Sequence, residues 1–372
     1  MKNFQFNFLK TTIVYIFVIS VIASCSSGQK NNLLNNKEKL GKLLFFDVNL
    51  SEPKGQSCAT CHAPKKGFAD EDMRVVSEGA VKGLFSNRNA ITCAYSAYVP
   101  ALTYDEELEQ YFGGLFWDGR ANTLEDQAKL PFTNPLEMGN IDGKMVVNKV
   151  KEAKYYLAFK KIYGDLEDSD AIFDAIADAI AAYERSVEVN PFSSKYDAFL
   201  EGKYQLTEEE SLGMNLFIGK GLCTLCHVID PDPEANRVLF TDHTYDNLGI
   251  PVNPENPYYT IPQIHNPNGR NAIDLGLGEI VKSENENGKF RVPTLRNIEF
   301  TAPYGHNGFF KTLEDIVHFY NVRDVSSEYP EAEYAETVNF DELGNLELTS
   351  EEELLIVTFL KTLSDGYINL AR

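Results

Sequence analysis

Apolar residues recur along this chain at helical spacing in a few separated stretches, and nowhere do they alternate for long enough to predict a sheet. The strongest stretch covers 170–187, where Ile172, Ile176, Ala177 and Ile180 share one face and Pro191 marks both an end and a boundary between halves. A short helix is predicted over 37–46, delivering the chain to the loop before Cys58. Thr123 and Asp126 form a Thr-x-x-Asp helix start, with Pro131 stopping that helix early, so Gln127 lies on the helix and Glu137 on the loop after it. Thr207 and Glu210 open another capped helix running to about Ile218, and Gly219-Lys220-Gly221 turns the chain out of it. The last helices run from Thr312 past Tyr320 and over 350–363. The segments 63–100 and 230–288 carry Gly, Asn and Pro with little period, which predicts long loops. The fold class is therefore mostly α.

At 372 residues the chain is long enough for two cores. A net charge of −21 argues against nucleic acid as a partner, because phosphate binding needs clustered Lys and Arg; it permits steering of a basic protein. The start reads as an export signal over 1–24: Lys2 and Lys10 precede an apolar run over 11–23 that is too short to span a membrane. Its ending, Ile22-Ala23-Ser24-Cys25, resembles a bacterial lipobox, which implies a lipid on Cys25, a linker over 25–36 and a folded part tethered on the periplasmic side of a bacterial membrane.

That assignment closes the cysteine count. Four of the remaining cysteines lie in Cys58-Ala59-Thr60-Cys61-His62 and Cys223-Thr224-Leu225-Cys226-His227, and Cys93 is left as a buried structural thiol. Two thiols two residues apart each form a thioether to a haem vinyl group, and the adjacent histidine falls beneath the iron. Zinc would want two further ligands at similar spacing, and a thioredoxin-like pair would not be followed by His in two copies. Two covalently attached haems c follow, with haem domains over 37–195 and 196–372.

The far side of each iron is constrained by absences. No histidine occurs between His62 and His227, so the first haem lacks a local histidine for its sixth position and its iron is open to small ligands. The last methionine is Met214, upstream of Cys223, which excludes a downstream Met at the second haem. His243, His265, His306, His318 and several tyrosines remain. Leu313, Ile316, Val317 and Tyr320 follow i, i+3, i+4, i+7, which puts Tyr320 on the apolar face of its helix and His318 off it; an ordinary core tyrosine fits the same pattern.

Taken together, CATCH and CTLCH, FWDGR with the following Gln127, Pro131 and Glu137, KYDAFLEG, and RVPTLRNIEFTAPYGHNG over 291–308 resemble the bacterial di-haem cytochrome c peroxidases, including the MauG branch, over nearly all of the chain after the signal. The resemblance implies that Trp117 relays electrons between the haems, that Gln127 and Glu137 stand on the distal side of the first haem, and that Pro131 shapes that pocket. It implies a second-haem ligand fourteen residues past His306, which is Tyr320 in place of the family's usual Met. It also implies a calcium ion held by Asn89 and the backbone oxygens of Thr301 and Pro303. The expected activity is reduction of hydrogen peroxide with electrons from a small cytochrome c or cupredoxin, Glu137 serving as acid and base. Alternatives are a MauG-like oxidase modifying a partner protein and a non-catalytic electron-transfer cytochrome. Trp117 is the single tryptophan, so no surface tryptophan exists to reach a protein substrate.

Overall fold

Two crossed helix pairs organise the chain, and in each the first helix is the one that leads into a Cys-x-x-Cys-His motif. The computed structural model describes residues 34–367; the expected signal, Cys25 and most of the linker lie outside them. The helices are α1 (Asn36–Phe45), α2 (Cys58–Cys61), α3 (Leu124–Thr133), α4 (Gly143–Glu152), α5 (Tyr156–Tyr163), α6 (Ser169–Glu184), α7 (Lys195–Leu200), α8 (Glu208–Ile218), α9 (Leu277–Val281), α10 (Leu313–Val322) and α11 (Ser350–Lys361).

The ends of these helices follow from local chemistry. Asn35, Thr207, Thr312 and Thr349 each accept from main-chain N–H groups of the first turn, and an acidic residue two to three positions on returns the bond to the cap, which satisfies donors that the helix itself cannot. Thr123 caps α3 through Asp126 N at 3.1 Å. Pro131 does not stop that helix, contrary to expectation: it lies inside α3, which runs on to Thr133. The ring removes one N–H, yet its carbonyl still accepts from Asn134 N and Met138 N, so the turn that carries Glu137 folds back on it. The helix expected over 170–187 ends at Glu184, where Arg185 and Ser186 donate back to its last carbonyls.

In the first pair α1 crosses α6 at Gly41, where an added Cβ would lie 1.8 Å from Ala179 O. In the second, α8 crosses α11 at Gly213, where an added Cβ would lie 2.0 Å from Leu355 O. The two halves thus repeat one packing device ahead of their motifs. A first core gathers Leu40, Phe132, Val146, Ile172 and Ile176 from α1, α3, α4 and α6. A second gathers Phe217, Phe240, Phe319 and Phe359 and begins at Tyr196, although Leu239 returns to the first core. From Leu34 onward the chain is nonetheless one compact unit.

Strand structure among the described residues is confined to three antiparallel two-stranded ladders: β1 (Thr103–Asp105) with β2 (Gln110–Phe112), β3 (Pro231–Asp232) with β4 (Arg237–Val238), and β5 (Tyr245–Asp246) with β6 (Phe290–Arg291). In the first, Thr103 pairs with Phe112 and Asp105 with Gln110. No helix among the described residues is long and apolar enough to cross a membrane.

Candidate functional site

Each motif wraps a short turn that aims its histidine into a cavity. Cys58 and Cys61 sit on α2, and His62 N donates to Cys58 O at 2.9 Å; His227 N donates to Cys223 O at the same distance. His62 Nδ1 lies 3.1 Å from Phe68 O and His227 Nδ1 lies 2.8 Å from Phe240 O. A carbonyl only accepts, so Nδ1 carries the hydrogen in both rings and Nε2 keeps its lone pair. Burial pulls both imidazoles below their ordinary pKa, His227 to about 4, and keeps them in the neutral form a metal requires.

Neither motif closes on itself as a disulfide. Burial pushes the Cys61 thiol up to about 11 and Cys223 to about 12, the reverse of the depressed pKa that a redox-active pair needs. A zinc cage also fails on its donors: among the described residues the one group of three metal-binding side chains is Cys226, Asp246 and Glu342, which involves one motif and a single thiol. Paired thiols, a neutral imidazole with a free Nε2 and an apolar hollow beside them fit a haem c. The hollows measure about 140 Å³ at the first motif and about 190 Å³ at the second.

The first cavity is lined by Gln127, Pro131, Glu137 and Trp117 together with Cys58, Cys61 and His62. Gln127 and Pro131 are one turn apart on α3 and therefore share a face. Glu137 accepts from Asn134 Nδ2 at 2.8 Å; burial raises its pKa, while the Arg120 charge and that hydrogen bond oppose the rise. Residues lining this cavity that were not singled out from sequence include Met138, Glu184 and Arg291. Glu184 had a legible signal, since it continues the i+4 row Ile172, Ile176, Ile180 that faces the core. Cys93 is buried here as expected.

The second cavity is lined by Leu313, Ile316, Val317 and Tyr320 of α10 together with Cys223, Cys226 and His227. Burial raises the Tyr320 hydroxyl above its ordinary pKa. His318 points elsewhere, with Nδ1 2.9 Å from Glu353 Oε1. His306 lines the cavity, but its Nε2 is 3.1 Å from Glu333 Oε2 and its ring stacks on Phe290 at 3.7 Å. His243 and His265 line neither cavity. Trp117 and Arg291 line both, and Trp117 Nε1 is fixed on Asn89 O at 2.9 Å. Asn89, Thr301 and Pro303 all reach the second cavity.

This arrangement has close relatives. The methylamine utilization protein MauG of Paracoccus denitrificans is 35% identical over 356 residues, covering 88% of each chain. The chain belongs to the di-haem cytochrome c peroxidase/MauG family. Residues 35–205 match the family description Di-haem cytochrome c peroxidase. The cytochrome c551 peroxidase of Nitrosomonas europaea is 34% identical over 332 residues, 88% of this chain and 79% of the relative. The crystal structure of the diheme peroxidase BthA from Burkholderia thailandensis superposes with a TM-score of 0.78 at 31% identity, covering 91% of this chain and 88% of that one. The predominantly helical fold is thus that of the diheme peroxidases, the protein is an oxidoreductase of cytochrome c peroxidase type, and the cofactor typical of its family is a pair of haems c.

Proposed function

We propose that this chain is an exported di-haem peroxidase that reduces hydrogen peroxide to two waters, taking two protons from solvent and two electrons from a small redox protein. The observation that carries the reading is the shared wall: Trp117 lines both motif cavities, so a group seated in one is connected to a group seated in the other through a single indole. Cys58, Cys61 and His62 would hold the first haem, and Cys223, Cys226 and His227 the second, with Tyr320 as its other ligand; each half would act as one haem domain. When bound, the haems supply the electron transfers and an iron site for peroxide.

The protein's own part is positional and protolytic. Glu137 takes a proton from one peroxide oxygen and returns it to the other, a task that suits a carboxyl whose pKa is raised by burial. Gln127 donates a hydrogen bond to the bound oxygens. Pro131 sets the wall by fixing the turn whose carbonyl carries Met138 N. Trp117 stays oriented because its Nε1–H is committed to Asn89 O. A phenolic oxygen from Tyr320 is a hard donor that favours the oxidised metal, in contrast to methionine sulfur. The oxygens for a calcium ion are also in reserve: among the described residues the carbonyls of Thr301 and Pro303 accept no hydrogen bond.

Tyr320 lining the cavity of the second motif favours one alternative, a MauG-like oxidase that takes its electrons from a partner protein. A peroxide titration of the oxidised protein, followed optically and by EPR with and without a reduced cytochrome or cupredoxin, separates the readings. Rapid oxidation by peroxide followed by turnover of the small donor is expected. Rapid oxidation with no donor turnover, but with modification of a partner protein, would favour the oxidase, and no reaction with peroxide would leave only an electron carrier.

A further inference from the structure

Arg291 is a buried cation for which the described residues supply no counter-charge. It is 5% exposed, and its main-chain N–H donates to Trp117 O at 2.8 Å. Among the described residues its guanidinium reaches only main-chain carbonyls, Nε to Phe116 O at 3.3 Å and Nη1 to Val292 O at 3.4 Å, both long for hydrogen bonds. The other arginines buried to this degree are neutralised: Arg88 by Asp118 and Asp274, and Arg296 by a two-pronged pair with Asp197 at 2.9 Å.

The ionisable groups around Arg291 do not help. Tyr245 donates its hydroxyl to Gly113 O, and burial holds it protonated. His243 is pushed down to about 3 by burial and by the Arg291 charge, and neither of its ring nitrogens has a partner among the described residues. Burial also pulls Arg291 below the usual guanidinium value, but the group is charged at every ordinary pH. A solitary buried charge is costly enough that a missing anion is expected, and Arg291 lines both cavities.

We propose that Arg291 is the carboxylate-binding subsite of the cofactor pair, its guanidinium forming an ion pair with a haem propionate at the wall between the two cavities. The inference rests on the reading that haems occupy those cavities. It gives Arg291 two tasks. The charge–carboxylate pair would anchor a cofactor that Cys and His side chains of the motifs hold elsewhere. The same residue also holds the Trp117 segment through its bonds to Trp117 O and Phe116 O, so the relay and the cofactor edge share one fixed point.

Arg291→Gln and Arg291→Lys, purified as holoproteins, test this. Covalent haem content is measured first, then both reduction potentials by spectroelectrochemical titration. Loss of a neighbouring cation favours the more positive oxidised state, so Arg291→Gln shifts at least one reduction equilibrium toward oxidation by about ten-fold, or about 59 mV for a one-electron couple, while Arg291→Lys stays near the wild type. A fully loaded Arg291→Gln with unchanged potentials overturns the proposal, as does an Arg291→Lys that shifts equally. If Gln fails to load haem and Lys loads it, the anchoring role is supported.

The unmodified protein gives an independent answer, should neither variant load. With haem labelled by carbon-13 at its carboxylates, infrared spectra at about pH 4 keep at least one labelled carboxylate ionised, because a guanidinium partner lowers a carboxyl pKa by roughly 1–3 units. Labelled carboxylates that all protonate together in the ordinary range overturn the proposal. A wild-type protein with no covalent haem would instead refute the functional reading on which it rests.

Discussion

Glu137 and Glu184 are two carboxyl groups on one cavity wall with opposite surroundings. Asn134 and the Arg120 charge keep Glu137 within reach of ionisation, whereas Glu184 is 3% exposed, has no partner for Oε2, and is pushed up to about 8 by burial. Environments that separate two such groups separate their roles. Glu137→Gln is expected to lower kcat/KM for peroxide by about 10²–10⁴-fold, measured by stopped-flow with the haem content unchanged. For Glu184 the consequence is stability. Its folded pKa lies above the unfolded value, so between about pH 4.5 and 8 the native state binds the extra proton and stability falls as pH rises, by up to about 1.4 kcal/mol per pH unit. Glu184→Gln removes that slope: in denaturant titrations the variant gains over the wild type at pH 8 and gains nothing at pH 4. Tyr320→Phe is expected to alter the ferric spectrum of the second haem and leave that of the first unchanged. Glu184 stood in the apolar row of its helix and could have been read from sequence; Arg291 could not, because a guanidinium without a carboxylate is defined only by what surrounds it in space.

At the level of elements, the helices carrying site residues were visible because caps and periodicity are local. Thr207 with Glu210 and Thr312 with Asp315 close the same boxes in the structure that their spacing implies. The helices that went unseen are α2, α4, α5, α7 and α9, of which α9 lies inside the stretch 230–288 expected as loop; α4 buries Val146, Val147 and Val150 against α6 rather than announcing itself by a long period. What sequence could not show at all is why Gly41 and Gly213 are glycines: neither has a positive φ, and each is required by the carbonyl of a helix far along the chain. Gly213→Ala must push α8 off α11, and Gly41→Ala must push α1 off α6. Each is expected to lower the unfolding free energy by about 1–3 kcal/mol, read from chemical denaturation, as overpacked contacts do.

Across the whole molecule, the two cavities matter less singly than through their common wall. Trp117→Phe keeps an aromatic ring but loses the Nε1 bond to Asn89 O, and it is expected to slow electron exchange between the two haems in stopped-flow while both stay covalently attached. The sequence by itself determined the chemistry that depends on contiguous residues: the two Cys-x-x-Cys-His turns, the capped helices, the face of α10 that bears Tyr320, and the exclusion of a downstream methionine ligand. Those are properties of neighbours along a chain, fixed by bond geometry and helical pitch. Only the tertiary structure decided that His318 is claimed by Glu353 and His306 by Glu333, that Met138, Glu184 and Arg291 join the cavity walls, and that one tryptophan and one unpaired arginine border both sites. Burial and charge pairing are set by residues brought together from distant parts of the chain, and no local pattern encodes them.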